Sequence, residues 1–323
     1  MSEVPLLTIC IPTYERAAML DKCLAALHDV EYQGHKFNLI VGDNGSTDST
    51  QEILAHWQPC FRNMTIITHA QTIGFDRNAA SLYRAVQTEY CWLLGDCDTI
   101  SERNFTKIED YLKDRYNAIV INTDEEYINI GKKIYTNIED FINEQGWHVT
   151  KLSACIVQKT MLNPIFIERY YDSHFTHWGN LMEELCRMDA FSVIFDPNIP
   201  LGYLVDDGGY RQSQKGAWRQ IPFYVWARCW SQMVLSLPIK IPYDLKVKVI
   251  KDHERKYHWF SIKNLIKNKI KFGEPYIINY KENRQYVKMV TVASPLLTDL
   301  IMYLPIEPVF RILIAIKNRI ISH

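Results

Sequence analysis

The 323-residue sequence predicts an α/β fold, a mostly parallel sheet flanked by helices and followed by a helical, basic C-terminal region. Three observations carry this. Short apolar runs alternate with stretches of helical periodicity over the first hundred residues. Polar residues unusual for turns follow each apolar run, where the carboxyl ends of parallel strands would gather. Charge is unevenly spread. From Lys240 to His323 there are 16 Lys and Arg against 7 Asp and Glu, a balance of +9, so the first 239 residues hold −10 of a formal net charge of −1.

Taken in order, the runs "LLTICI" (6–11), "FNLIVG" (37–42), "MTIITH" (64–69) and "YCWLLG" (90–95) read as buried strands. The segments 16–27, 48–57 and 75–86 between them read as helices. Strand-helix-strand units of this length close by right-handed crossovers, which gives a Rossmann-like parallel sheet covered on both faces. In "DNGSTDSTQEIL", Asn44-Gly45 turns the chain and Ser46, Thr47 or Asp48 caps the next helix, whose early turn carries Glu52. A further strand is expected at "FSVIFD" (191–196).

Composition excludes several classes. With 47% hydrophobic residues the chain buries a substantial core and is not disordered. Its eight cysteines show no CxxC spacing, which argues for a reducing compartment and against structural zinc. The N-terminus lacks a basic segment ahead of an apolar one, so no signal peptide is expected. No run of 18 apolar residues predicts a spanning helix. A G-x-G-x-x-G after the first strand and a G-x-x-x-x-G-K-[ST] are both absent, which removes most support for dinucleotide dehydrogenases and P-loop enzymes.

The stretch "CWLLGDCDTI" (91–100) ends a buried run on two aspartates. Carboxylates are costly to desolvate unless paired, protonated or bound to a cation, so Asp96 and Asp98 mark a cation site or a solvated turn. They are not alone. Pro12-Thr13-Tyr14-Glu15, Asp43-Asn44 and the segment His69 to Asn78 follow the other three strands, and four such loops on one edge make a site.

"LLTICIPTYERAAMLDKCLAAL", "LIVGDNGSTDSTQEIL", "GFDRNAA" and "YCWLLGDCD" together resemble the inverting family-2 glycosyltransferases of the A-type nucleotide-sugar fold, the last being that family's DxD element. The resemblance covers roughly residues 5 to 100, and its nearest likeness is to bacterial transferases of O-antigen or capsule assembly, the abequosyltransferase-like group. It implies a hexosyl- or deoxyhexosyltransferase with a catalytic part over 1–238, a nucleotide-binding half (1–100) and an acceptor half (101–238), followed by 239–323. The implied cofactor is Mn²⁺ or Mg²⁺, held chiefly by Asp98, with Asp96 nearer the ribose and the ion's water shell and Cys97 a spacer. Pro12, Thr13, Tyr14 and Glu15 line the nucleotide, Glu15 standing where the family has asparagine. Asp43 accepts a hydrogen bond from the pyrimidine ring. Arg77 lies near base and phosphate, with Asp76 placed to orient it.

Inversion needs a base on the acceptor hydroxyl opposite the leaving group. The family supplies an acid near a helix start 80 to 100 residues after DxD. Here "YYDSHFTHWGNLMEEL" (170–185) offers His177 first and Asp172, Glu183 and Glu184 as alternatives, with His174 and Trp178 shaping the acceptor pocket. The loop 204–218, with Arg211 and Lys215, is expected to close over the diphosphate or to be an ordinary surface loop. After Lys240, lysines interleave with apolar residues at helical spacing, and "PVFRILIAIKNRIISH" (308–323) ends the chain with Arg311, Lys317 and Arg319. That pattern suits a peripheral contact with an anionic membrane or helices packed on the catalytic part. The implied partners are a nucleotide-diphosphate sugar and a glycan or polyprenyl-diphosphate-linked acceptor, with no nucleic acid. The implied place is the cytoplasmic face of the cell membrane. A sugar nucleotidyltransferase and a non-catalytic nucleotide-sugar-binding protein are the competing readings.

Overall fold

The computed structural model describes residues 4–123, 131–205 and 220–304. The chain forms two compact units, Met1–Gly216 with Ser236–Leu245, and Ala217–Leu235 with Lys246–His323.

The first unit is built on an eight-stranded sheet ordered β3-β2-β1-β4-β8-β6-β9-β7. Its strands are β1 (Leu7–Thr13), β2 (Asn38–Asp43), β3 (Met64–Thr68), β4 (Tyr90–Leu93), β6 (Ala118–Asn122), β7 (Lys133–Tyr135), β8 (Cys155–Gln158) and β9 (Val193–Pro200). The pairs β1–β2, β2–β3, β1–β4 and β6–β9 are parallel, as the strand-helix alternation requires. β8 runs antiparallel between β4 and β6, and β7 antiparallel on β9. A separate two-stranded ribbon pairs β5 (Asp98–Thr99) with β10 (Gly202–Tyr203).

Alternate residues of each strand feed opposite faces. Ile9 and Ile11 of β1 and Leu39 and Val41 of β2 pack with Leu20, Cys23, Leu24 and Leu27 of α1 (Ala17–Tyr32), Leu54 of α2 (Thr50–Trp57) and Phe105 and Ile108 of α4 (Glu102–Lys113). Cys10, Ile40, Cys91 and Leu93 face the other way, onto Ala79, Leu82 and Tyr83 of α3 (Phe75–Ala85) and Ile167 of α6 (Pro164–Arg169). Burial on both sides is why these strands read as unbroken apolar runs. α5 (Ile138–Gln145) and α7 (Thr176–Arg187) complete the helices described in this unit.

Two glycines set close approaches. Gly45, at φ +77°, turns the chain after β2, and a Cβ there would stand 2.5 Å from the Gln71 backbone, so the loops after β2 and β3 meet. A Cβ on Gly179 would lie 2.3 Å from the Tyr170 ring, so α7 packs directly on the segment before it.

The second unit is helical. A π-helical stretch (Phe223–Cys229) runs into α8 (Trp230–Leu235), and α9 (Tyr243–Tyr257) begins in the first unit and continues through the second. α10 (Ile262–Phe272), α11 (Glu274–Val290) and α12 (Pro295–Tyr303) follow. Its core is aromatic: Phe223 stacks on Phe260 at 5.2 Å and meets Tyr276 and Tyr280, while Trp226 stacks on Trp259 at 5.4 Å. Part of the basic excess is used inside this unit. Lys269 is buried and donates to the Ile301 and Leu304 carbonyls, and Lys246 is buried beside the Leu235 carbonyl. Among the described residues no helix is long and apolar enough to cross a membrane.

Candidate active site

The ends of β1, β2 and β4 bring Thr13, Asp43 and Asp96 to one edge of the sheet. Asp96 is buried and accepts a hydrogen bond from Thr13 Oγ1 at 2.9 Å, and Arg16, just past β1, reaches its other oxygen with Nη1 at 3.1 Å. Burial raises the Asp96 pKa, against the pull of Arg16 and Thr13. Arg16 Nη2 is itself buried without a hydrogen-bond partner. Sequence reading missed Arg16, although its place one residue beyond Pro12 to Glu15 is the signal that could have found it.

Asp98 opens β5. Its carboxylate accepts from Ser153 Oγ, which in turn accepts from Gly95 N at 2.8 Å. Burial pushes Asp98 up to about 6, with Ser153 opposing and the nearby Asp96 adding to the rise. Lys151, which donates to the Thr123 carbonyl at 2.6 Å, also lowers it. Ser153 and Lys151 arrive more than fifty residues along the chain, so no local pattern announces them. Cys97 sits buried between the two acids, its thiol pushed up to about 12 by burial and by the neighbouring aspartates.

Asp43 is fully buried at the end of β2. One oxygen accepts from Ser46 N at 3.0 Å and the other from the Gln51 amide. Glu15 adopts φ +53°, and its carboxylate accepts from Thr47 N at 2.7 Å and Thr47 Oγ1 at 2.9 Å. Asp48 accepts from Ala17 N at 3.0 Å, so the loops after β1 and β2 are laced together. Pro12 is buried opposite Gly42, and Tyr14 stands exposed on the edge.

Arg77, in the first turn of α3, forms a bidentate ion pair with Asp172 and lies over the Tyr171 ring at 4.8 Å. Asp76 was expected to orient Arg77 and does not hydrogen-bond it. It is buried, and its oxygens accept from His174 N at 2.8 Å and Thr176 N at 3.1 Å. Burial raises it to about 6. Asp76 thus fixes the loop before α7, in which Asp172 and His174 both take positive φ, 64° and 67°.

The remaining base candidates lie apart from Asp172. His177 is half-buried, donates from Nε2 to the Thr150 carbonyl at 3.1 Å, and meets Phe75 edge-on at 6.2 Å. Burial lowers it to about 4, and Nδ1 has no partner. The ring lines a small cavity of about 20 Å³ with Leu93, Leu152, Cys155 and Leu181. Glu183 accepts from Tyr170 Oη and pairs with Arg169, both at 2.8 Å. Glu184 accepts from Asn163 and pairs with Arg187, both at 2.7 Å. Trp178 is buried and donates to the Gly146 carbonyl. These four side chains hold α7 in place, while Asp172 is the exposed carboxylate of the set. Arg211 and Lys215, and the C-terminal Arg311, Lys317 and Arg319, lie outside the described residues.

Beside the β5–β10 ribbon runs a groove of about 610 Å³ lined by Arg103, Asn104, Lys107, Asn122, Asn198 and Tyr203, with no acid among the described residues of its lining. Among the described residues no cluster of three or more His, Cys, Asp or Glu is placed to hold a metal.

Residues 8–162 match the family described as Glycosyl transferase family 2. Abequosyltransferase RfbV of Salmonella typhimurium is 29% identical over 109 residues, 33% of this chain and 32% of that protein. A validoxylamine A glucosyltransferase of Streptomyces hygroscopicus subsp. jinggangensis is 41% identical over 61 residues, 19% of this chain and 14% of that protein. The matched segment thus spans about a third or less of each relative's length. Among solved structures, S. aureus TarS 1-349 in complex with UDP-GlcNAc superposes with a TM-score of 0.62 at 14% identity, over 88% of this chain and 81% of that one. The mannosyltransferase PcManGT of Pyrobaculum calidifontis, in complex with GDP-Man and Mn²⁺, gives 0.53 at 13% identity, over 91% and 78%. At such identities the likeness is one of fold.

Proposed function

We propose that the chain, whose residues 8–162 match the family described as Glycosyl transferase family 2, is an inverting, divalent-metal-dependent glycosyltransferase of bacterial surface polysaccharide synthesis. The observation that carries the reading is the convergence of Thr13, Asp43, Asp96 and Asp98 on the carboxyl ends of β1, β2 and β4 and the start of β5, where open α/β sheets bind ligands. The Salmonella abequosyltransferase supports the O-antigen setting.

Asp43 accepts a hydrogen bond from the base, Thr13 and Tyr14 line the nucleoside, and Arg77 meets the diphosphate. Asp96 and Asp98 suit Mg²⁺ or Mn²⁺. Both carboxylates are pushed up by burial, and Arg16 is ion-paired to Asp96. Asp96 and Asp98 would hold the ion from the protein side, and among the described residues no third ligating side chain joins them. When bound, the ion stabilises negative charge on the departing nucleoside diphosphate.

Asp172 takes the acceptor proton. Its bond to Arg77 holds its pKa below the usual carboxylate range, which makes it a poor base while paired. A donor diphosphate competes for Arg77, and the freed Asp172 regains basicity when the sugar is in place. His177 positions the 150–154 segment through Thr150. The groove beside the β5–β10 ribbon presents amide and hydroxyl groups to an acceptor glycan carried on a polyprenyl diphosphate. Residues 1–238 are the catalytic part, with nucleotide and acceptor halves meeting near residue 100. The protein works from the cytoplasmic face of the membrane.

A screen of UDP-, GDP-, CDP- and dTDP-sugars by thermal shift, each with Mn²⁺ and with EDTA, tests this. One donor at 100 times its dissociation constant should add about 2.7 kcal/mol with the metal and far less without it. Stabilisation by no nucleotide sugar defeats the reading.

A further inference from the structure

α10, "IKNLIKNKIKF", carries four lysines and no acid. At about 100° per residue, Lys263, Lys267 and Lys271 form one row and Ile262, Ile266 and Ile270 the row beside it. The three lysines are exposed, Ile262 is exposed at 43%, and Ile266 and Ile270 are half-buried. The fourth lysine, Lys269, is buried on the far side of the isoleucine row, where it holds the C-terminal carbonyls of α12. The isoleucines therefore lie between the lysine row and α12.

α12 continues this surface. Leu296, Leu300 and Leu304 recur at four-residue spacing, the first two exposed at 80% and 51%, with Tyr303 exposed beside them. Its one acid, Asp299, is ion-paired to Arg284 of α11 and accepts from Tyr280, so it is neutralised within the unit. Among the described residues no ion pair engages Lys263 or Lys267. The result is an apolar strip edged by a row of exposed lysines.

We propose that the α10–α12 face docks on an anionic lipid bilayer, the lysine row at the headgroups and Leu296, Leu300 and Tyr303 in the acyl boundary. This deepens the membrane setting proposed above and rests on it. The charge selects the occupant. A protein groove would have to be acidic and apolar in parallel rows, whereas an anionic bilayer supplies both layers at the right depth. Lys269 is the device that keeps the two helices in one surface, because its ammonium joins α10 to the end of α12.

The test is sedimentation of the full chain with vesicles of phosphatidylcholine, with and without a third of phosphatidylglycerol, at low salt. The full chain should bind the anionic vesicles only. K263Q/K267Q/K271Q should bind about a hundredfold more weakly, since each lysine near such a surface contributes close to fivefold. L296S/L300S, at exposed positions that leave the core intact, should lose about tenfold or more. A control with the same charge change elsewhere, K36Q/K113Q/K159Q, should stay within about threefold of the full chain. If the lysine and leucine variants bind like the full chain, the face is wrong although the membrane setting stands. If the full chain ignores anionic vesicles, both fall. Should sedimentation velocity show a full-chain dimer that L296S/L300S dissolves, the strip packs against a second copy and the lipid assignment is overturned.

Discussion

Arg16 and Asp96 show how a single pair organises the candidate site. Asp96 is buried with Thr13 and Arg16 as its partners, and without the guanidinium it would be an uncompensated charge beside a second acid. Arg16→Met should therefore cost about 1 to 3 kcal/mol in a denaturant melt, at the low side of buried-pair losses because Arg16 is partly exposed. Asp96→Asn in the same background should recover much of it, because the buried charge has gone. At the opposite side of the edge, Asp172→Asn should lower turnover by about 10² to 10⁴ while donor affinity stays nearly constant. His177→Gln should keep turnover within about tenfold and lower Tm instead, since the ring is tied to the Thr150 carbonyl. The reverse ranking in kcat would return the proton to His177.

At the scale of elements, β1 to β4 and their helices were legible in the sequence because short apolar runs alternate with helical periodicity, and β1, β2 and β4 are buried on both faces. The middle of the chain was less legible. β7 and β8 are three and four residues long, too short for a period to show, and β8 pairs antiparallel between strands that are otherwise parallel. The site divides the same way. Thr13, Asp43, Asp96 and Asp98 could be located because they end predicted strands, whereas Ser153 and Lys151 join them only through the fold. Asp76 was assigned to the wrong partner because a helix-start acid looks local, yet it binds backbone nearly a hundred residues away. Asp76→Ala should release the 172–176 loop, costing about 2 kcal/mol or more for two unpaired buried N–H groups and reducing transfer through the loss of Asp172 placement.

At the same scale, Glu254 of α9 accepts from Phe260 N at 2.9 Å and is pushed up to about 8 by burial. Its folded pKa lies above the unfolded value near 4.5, so the folded state binds the extra proton between those values. Its contribution to stability is greatest at low pH and declines as pH rises from about 4.5 to 8. Glu254→Gln should flatten stability over that window, read from urea midpoints at pH 6 and 8. An unchanged slope would show that the carboxylate is ionised throughout.

The whole molecule joins an α/β unit to a helical unit in which the lysines divide between internal struts, such as Lys246 and Lys269, and an exposed row on α10. The raised pKa of Asp98 gives the intact chain a pH signature, since a proton competes with a metal ion for the same carboxylate. Metal-dependent nucleotide binding should weaken as pH falls through about 6. The central claim, that Asp98 holds the ion on which donor binding depends, is tested most directly by repeating the nucleotide-sugar thermal-shift screen on Asp98→Asn at pH 7.5. The unliganded variant should melt at or above the parent, because a half-buried charge beside the acid Asp96 has been removed. The Mn²⁺-dependent stabilisation of about 2.7 kcal/mol that a donor at 100 times its dissociation constant gives the parent should disappear. An Asp98→Asn protein that keeps the same Mn²⁺-dependent shift as the parent would contradict the account.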